Sequence, residues 1–131
     1  MLYWLHRCIH QLPIAREYHW NHHNHINAGK QPNKFQWNNL LLFNDNWPST
    51  IDLWLTEVIP TFLFSLITGQ WWISVFYYLW AAMIQESIEH NSKVNWYPFT
   101  SGQWHLIHHQ ERNKNFGLFF PIWDKIFGTE K

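Results

Sequence analysis

Nine of the ten histidines in this chain fall into four short clusters with helical spacing. His6 and His10 stand four apart in HRCIH, and His19, His22 and His23 make up HWNHH. His90 follows Glu86 by four positions in ESIEH, and His105, His108 and His109 make up HLIHH. Positions three and four apart share a helix face, so each cluster is expected to aim its side chains at one point. A structural zinc site closes with four ligands. Nine imidazoles are too many for one ion and suit two ions with positions left open. Imidazole binds iron, zinc, copper and nickel alike, so ligand type alone does not select the metal. No HExxH, CxxC, P-loop or Gly-rich dinucleotide motif competes with this reading. His25 stands outside the clusters and is expected at the surface or behind a ligand.

Between the second and third clusters lie two apolar stretches, Ile51 to Thr68 and Trp71 to Ile84, joined at Thr68-Gly69-Gln70. They predict an antiparallel helical hairpin. A full membrane span takes about 20 apolar residues; the second stretch is shorter, and the first carries Glu57 and Pro60. The alternative is an unusually apolar soluble hairpin. Arg7, Arg16, Lys30 and Lys34 precede the hairpin, and Lys93, Arg112, Lys114, Lys125 and Lys131 follow it, with none in its turn. This distribution predicts that both flanks are cytoplasmic. The hairpin then returns residues 1–50 and 85–131 to one face, where the four clusters meet. The expected fold is all-α: a membrane-embedded hairpin over 51–84 beneath a cytoplasmic, histidine-rich helical cap, in a single domain. Residues 24–50 read as a polar connection with a short interfacial helix around Phe35 to Phe43. Pro121 to Gly128 reads as a short amphipathic helix opened by Pro and stopped by Gly.

Composition supports an interfacial membrane protein. The 131 residues include 11 Trp and 10 Phe with only 14% charged residues, a mixture suited to aromatics at a bilayer surface. The single cysteine, Cys8, cannot form an internal disulfide and is expected to be a small buried apolar side chain. Formal charge is zero and the basic residues are scattered, so nucleic acid is not an expected partner. Met1 to Leu5 is too short for a signal-peptide core, and no secretory signal is expected.

YWLHRCIHQLPIAREYHWNHH, QESIEHNS and GQWHLIHHQERNKNFGLFFPIWDKIFGT resemble, in order, the histidine boxes and C-terminal signature of the fatty acid hydroxylase/sterol desaturase superfamily. The resemblance spans nearly the whole chain. It implies an integral membrane, O2-dependent di-iron oxidoreductase that hydroxylates or desaturates a fatty acyl or sterol-like lipid, with O2 as co-substrate. It implies an electron donor of the cytochrome b5 or ferredoxin kind. The ligands and catalytic residues carried over are His6, His10, His19, His22, His23, His90, His105, His108 and His109. Glu86, standing where some members have a histidine, is a further candidate ligand. Zinc is the expected substitute for iron in a preparation. Only five residues precede His6, whereas the family has membrane helices ahead of its first box; the chain is therefore expected to lack them. Competing readings are an inactive membrane metal-binding protein and a zinc-dependent hydrolase. Asp124, Glu89 and Glu111 are candidates to orient ligand imidazoles. Phe76, Tyr77, Tyr78 and Trp80 are candidates to line a substrate route or to contact lipid.

Overall fold

A computed structural model describes residues 1–29, 35–44 and 46–131, and the backbone but not the side chain of Glu86. The described residues are helical apart from turns and one isolated β-bridge between Asn95 and Gly102. The helices are α1 (Leu2–Ile9), α2 (Pro13–Asn27), α3 (Trp47–Leu53), α4 (Ile59–Thr68), α5 (Trp72–Trp80), α6 (Glu86–Ile88), α7 (Gln103–Gln110) and α8 (Ile122–Phe127). The polar connection carries a 3-10 turn at Trp37–Leu41 in place of the expected interfacial helix. Lys30 and Lys34 lie outside the described residues.

Local chemistry starts and stops these elements. Asn46 caps α3 by accepting the Ser49 amide at 2.9 Å, with Pro48 in the first turn. α3 runs through a π-helical turn at Trp54–Val58 into α4, giving one helix from Trp47 to Thr68. This 22-residue helix is long and apolar enough to cross a membrane. Pro60, which lacks an amide proton, is tolerated because it follows the widened π turn, at the start of α4. A second π turn, Ala81–Gln85, links α5 to α6.

α4 and α5 pack antiparallel. Phe62 meets Trp71 with ring centroids 6.1 Å apart, and the Tyr77 hydroxyl donates to Glu57 at 3.1 Å. Thr61, Ser65, Ala81 and Ala82 are buried, whereas Ile67 is 82% exposed and Phe62, Leu63, Trp72 and Phe76 are also exposed. Small residues let the backbones approach while large apolar ones face outward. Leu42, Leu53, Tyr77, Ala81 and Ala82 form the buried apolar cluster where the hairpin meets the polar connection.

α8 packs on α1 through its aromatic side chains. Trp4 meets Phe127 at 4.9 Å, and Tyr3 meets Trp123 at 6.4 Å and Phe127 at 6.2 Å. Cys8 corrects one expectation: it is exposed. α1 buries the stripe Tyr3, His6 and Ile9, and Cys8 lies on the opposite side.

Candidate metal centre

The nine clustered histidines converge in two adjoining groups, but not one cluster per group. His6, His10, His19, His23 and His108 form one group, and His22, His90, His105 and His109 form the other; within each group one ligand atom per residue lies within 4.8 Å of every other. α2 and α7 therefore serve both groups, which corrects the expectation that each cluster aims at one point. In α2, His19 and His23 go to the first group and His22 to the second; in α7, His105 and His109 go to the second and His108 to the first. The reason is the helical repeat. Positions i and i+4 are about 40° apart around the axis, while i+3 and i+4 are about 100° apart. The groups adjoin: the His23 and His109 rings stack with centroids 4.1 Å apart. His90 sits on the turn just beyond α6. His25 belongs to neither group, and the Glu86 side chain lies outside the described residues.

Hydrogen bonds fix three rings in one tautomer. His6 Nδ1–H donates to the Phe116 carbonyl at 3.0 Å, His19 Nδ1–H to the Asp52 carboxylate at 2.9 Å, and His108 Nδ1–H to the Lys114 carbonyl at 2.7 Å. A neutral imidazole has one N–H, so their Nε2 atoms are bare lone pairs. His6 Nε2 and His19 Nε2 nevertheless lie 3.1 Å apart. Burial makes protonation a poor solution to this clash. Desolvation, reinforced by His10, lowers His6 to about 4, and desolvation together with Arg112 lowers His10 to about 4. The other seven are also lowered, burial being the largest cause in each. Neutral, converging imidazole nitrogens in a buried site are the donor set a metal cation requires.

The spacing also suits a cation. Nε2 separations in the first group are 3.1 Å for His6–His19, His10–His19, His19–His23 and His10–His108. In the second they are 2.9 Å for His90–His109 and 3.0 Å for His105–His109. Two nitrogens each about 2.05 Å from one ion stand about 2.9 Å apart at a right angle and about 3.4 Å apart at the tetrahedral angle.

The supports behind the rings differ from those expected. Asp124 hydrogen-bonds to no histidine among the described residues: it accepts the Phe116 amide at 2.8 Å, the Gly117 amide at 2.7 Å and the Thr129 hydroxyl at 2.7 Å. It thereby holds the loop whose Phe116 carbonyl receives His6. Gly117 is required there, because a Cβ would stand 2.7 Å from the Phe120 carbonyl oxygen and 2.8 Å from the Asp124 carboxylate. Glu111 pairs with Lys131 at the surface. Glu89 lies 3.8 Å from His105 Nε2 and accepts from Gln85 at 3.3 Å. Asp52 is the support that sequence reasoning missed; an acid inside an apolar, membrane-length helix was the available signal. At the start of α7, Gly102 adopts φ 73°, and a Cβ there would stand 2.2 Å from the Val94 carbonyl oxygen.

A family model described as Fatty acid hydroxylase matches residues 1–129. The chain belongs to the fatty acid hydroxylase family. Neither a curated protein nor a solved structure matches it. Membership in the fatty acid hydroxylase family points to lipid hydroxylase or desaturase chemistry, and the histidine groups are compatible with the metal binding such chemistry needs.

Beside the histidines is a small cavity with room of about 20 Å³. His6, His19, His22 and His105 form its wall toward the two histidine groups, and Asn44, Ser49, Asp52 and Glu57 line it from the side of α3. Of the residues expected to line a substrate route, Phe76 and Tyr78 are exposed and Trp80 packs against Phe119 with centroids 5.5 Å apart. Tyr77 alone reaches toward the cavity, through its bond to Glu57.

Proposed function

We propose that this chain is an O2-dependent di-iron oxidoreductase that hydroxylates or desaturates a lipid, with His6, His10, His19, His23 and His108 holding one iron and His22, His90, His105 and His109 the other. The observation that carries the reading is the facing of the buried Nε2 lone pairs of His6 and His19, 3.1 Å apart, within the first of two adjoining groups of buried imidazoles. An unactivated C–H bond offers no acidic proton to a base, and two irons supply the O2 activation that breaking it needs. Hydroxylation converts R–H, O2, two electrons and two protons into R–OH and water. Desaturation takes the same inputs and releases two waters.

The protein's own residues set the conditions. Asp52 and the carbonyls of Phe116 and Lys114 keep His19, His6 and His108 in the Nε2-free tautomer. Burial excludes bulk water from the rings. The electrons come from a cytochrome b5-like or ferredoxin-like carrier, and His10, the half-buried member of the nine, is the ring nearest solvent for their entry. The lipid enters from the bilayer in which the hairpin is embedded, and the cap faces the cytoplasm.

The deciding experiment loads the purified protein with iron in bilayers, adds lipid and a reduced carrier, and follows O2 uptake together with labelled oxygen in the product. Lipid-dependent O2 uptake that zinc-loaded protein lacks supports the reading. Two bound irons without O2 uptake would identify a metal-binding protein without this activity, and zinc-dependent hydrolysis would identify a hydrolase.

A further inference from the structure

Tyr3 lies one turn before His6 on α1 and is buried, 4% exposed. Its ring meets Phe116 with centroids 6.1 Å apart, and Phe116 in turn meets His6 at 5.9 Å, His10 at 5.5 Å and His108 at 5.3 Å. All three histidines belong to the five-membered group. On its other side Tyr3 meets Trp4 at 5.2 Å and Trp123 at 6.4 Å. These two indoles, each 40% exposed, lie 6.1 Å from one another. Aromatic rings therefore run in contact from the histidines to the surface. Packing of α8 on α1 accounts for apolar rings in this place but does not call for a phenol.

The phenol is also placed to lose its proton. Thr129 Oγ1 carries one proton and donates it to Asp124 Oδ1 at 2.7 Å. Toward the Tyr3 hydroxyl, 3.2 Å away, Thr129 is therefore the acceptor. The Arg7 guanidinium, which has no lone pair to offer, donates to the same phenol oxygen at 3.1 Å. The Tyr3 proton thus points through Thr129 to the buried Asp124 carboxylate. Tyrosine and tryptophan are the aromatic side chains most easily oxidised by one electron. A buried phenol that gives up an electron must shed its proton too, because an unpaired positive charge is costly in that setting. Electron tunnelling falls steeply with distance, so rings in contact exchange electrons readily.

We infer that Tyr3 is a redox-active residue that discharges the five-histidine site when the site has been oxidised with no lipid in place, and that Trp4 and Trp123 link it to the surface. Tyr3 gives one electron to the oxidised metal centre. Its O–H bond breaks, the proton passes to Thr129, and the Thr129 proton passes to Asp124. A one-electron reductant in solution, such as ascorbate, returns the electron through Trp123 and Trp4, and the proton goes back by the same route. The inference rests on the redox reading of the histidine groups and adds to it a path that spares the ligand histidines from oxidation.

The test has two arms. Cys8, the single cysteine, is exposed and one helical turn from Trp4, so it can carry a thiol-linked ruthenium photo-oxidant on the full chain in nanodiscs, loaded with zinc. After a flash with an electron acceptor present, the wild-type protein is expected to show a tyrosyl radical by transient absorption and electron paramagnetic resonance. Tyr3→Phe is expected to leave tryptophanyl radical alone, and Thr129→Val to cut the tyrosyl yield several-fold, with zinc content unchanged in both. A tyrosyl radical that persists in Tyr3→Phe overturns the inference, as does its absence from the wild type; an undiminished yield in Thr129→Val overturns the proton route. The second arm loads iron, withholds lipid and adds hydrogen peroxide. Tyr3→Phe is expected to accumulate more oxygen on His6, His10 and His108 than the wild type does, read by mass spectrometry. Equal histidine oxidation in the two, in protein that does oxidise lipid, overturns the protective role. Because the flash arm needs no iron, a failure of the proposed lipid oxidation is distinguishable from a failure of the Tyr3 path.

Discussion

Asp52 on α3 accepts the Nδ1–H of His19 on α2 at 2.9 Å, with both side chains buried. This pair joins the membrane-length helix to the first histidine group. It also leaves His19 Nε2, which lies 3.1 Å from His6, His10 and His23, as a lone pair. Asp52→Ala removes the acceptor and frees the ring to rotate or change tautomer. Partners behind ligating imidazoles are worth roughly 10–100-fold in metal affinity. A loss of this size is expected for one of the two ions in competition titrations with a chelator, the other ion holding. Unchanged affinity for both would mean that Asp52 does not orient a ligand.

The division of α7 between the groups predicts separable losses. His108→Ala should lower metal content from two ions per chain to about one by weakening the five-histidine group, and His109→Ala should do the same through the four-histidine group, each group losing one donor. Combined loss of His105, His108 and His109 should remove both. Elemental analysis after iron loading decides the matter, and a single tightly held ion surviving the triple substitution would refute a two-metal centre.

Acid should weaken the metal-free fold. His6 and His10 are lowered to about 4 from an ordinary 6.5, chiefly by burial. Well above pH 6.5 neither the folded nor the unfolded chain protonates these rings appreciably. As pH falls from 6.5 toward 4, the unfolded chain takes up protons that the folded chain refuses, so stability falls through that window. Thermal unfolding of chelator-treated protein in detergent should show a lower midpoint at pH 5 than at pH 7.5. Equal midpoints would contradict the burial of neutral rings.

Topology can be read with tags. If the hairpin is embedded with both flanks cytoplasmic, tags near Lys30 and at Lys131 should be protected together in sealed vesicles of native orientation, and a tag in the Thr68 to Gln70 turn should behave oppositely. Opposite protection of the two flanking tags would refute the embedded hairpin and the shared face of the histidine boxes.

Much of the centre is written in local sequence. Spacings of three and four residues place histidines on helix faces, and residues 103–110 and 13–27 are helical as those spacings require. The Pro and Gly flanking Ile122–Phe127 bound α8, and the Gly69 turn separates α4 from α5. These features depend on contacts within one or two helical turns, so their signals lie side by side in the chain. Tertiary structure decided the rest. Which ring joins which group depends on the rotation of α2 and α7 about their axes once they pack, and spacing alone suggested one target per cluster. Asp52 meets His19 across 33 positions, and His6 meets the Phe116 carbonyl across 110. Neither partner carries a local mark of that pairing, because a carboxylate or carbonyl becomes a support only when packing brings it within hydrogen-bonding reach of a buried ring. The π turns at Trp54–Val58 and Ala81–Gln85 belong to the same class: the first sets Glu57 and the second Gln85, and the two meet at 3.0 Å only because α4 and α5 pack side by side.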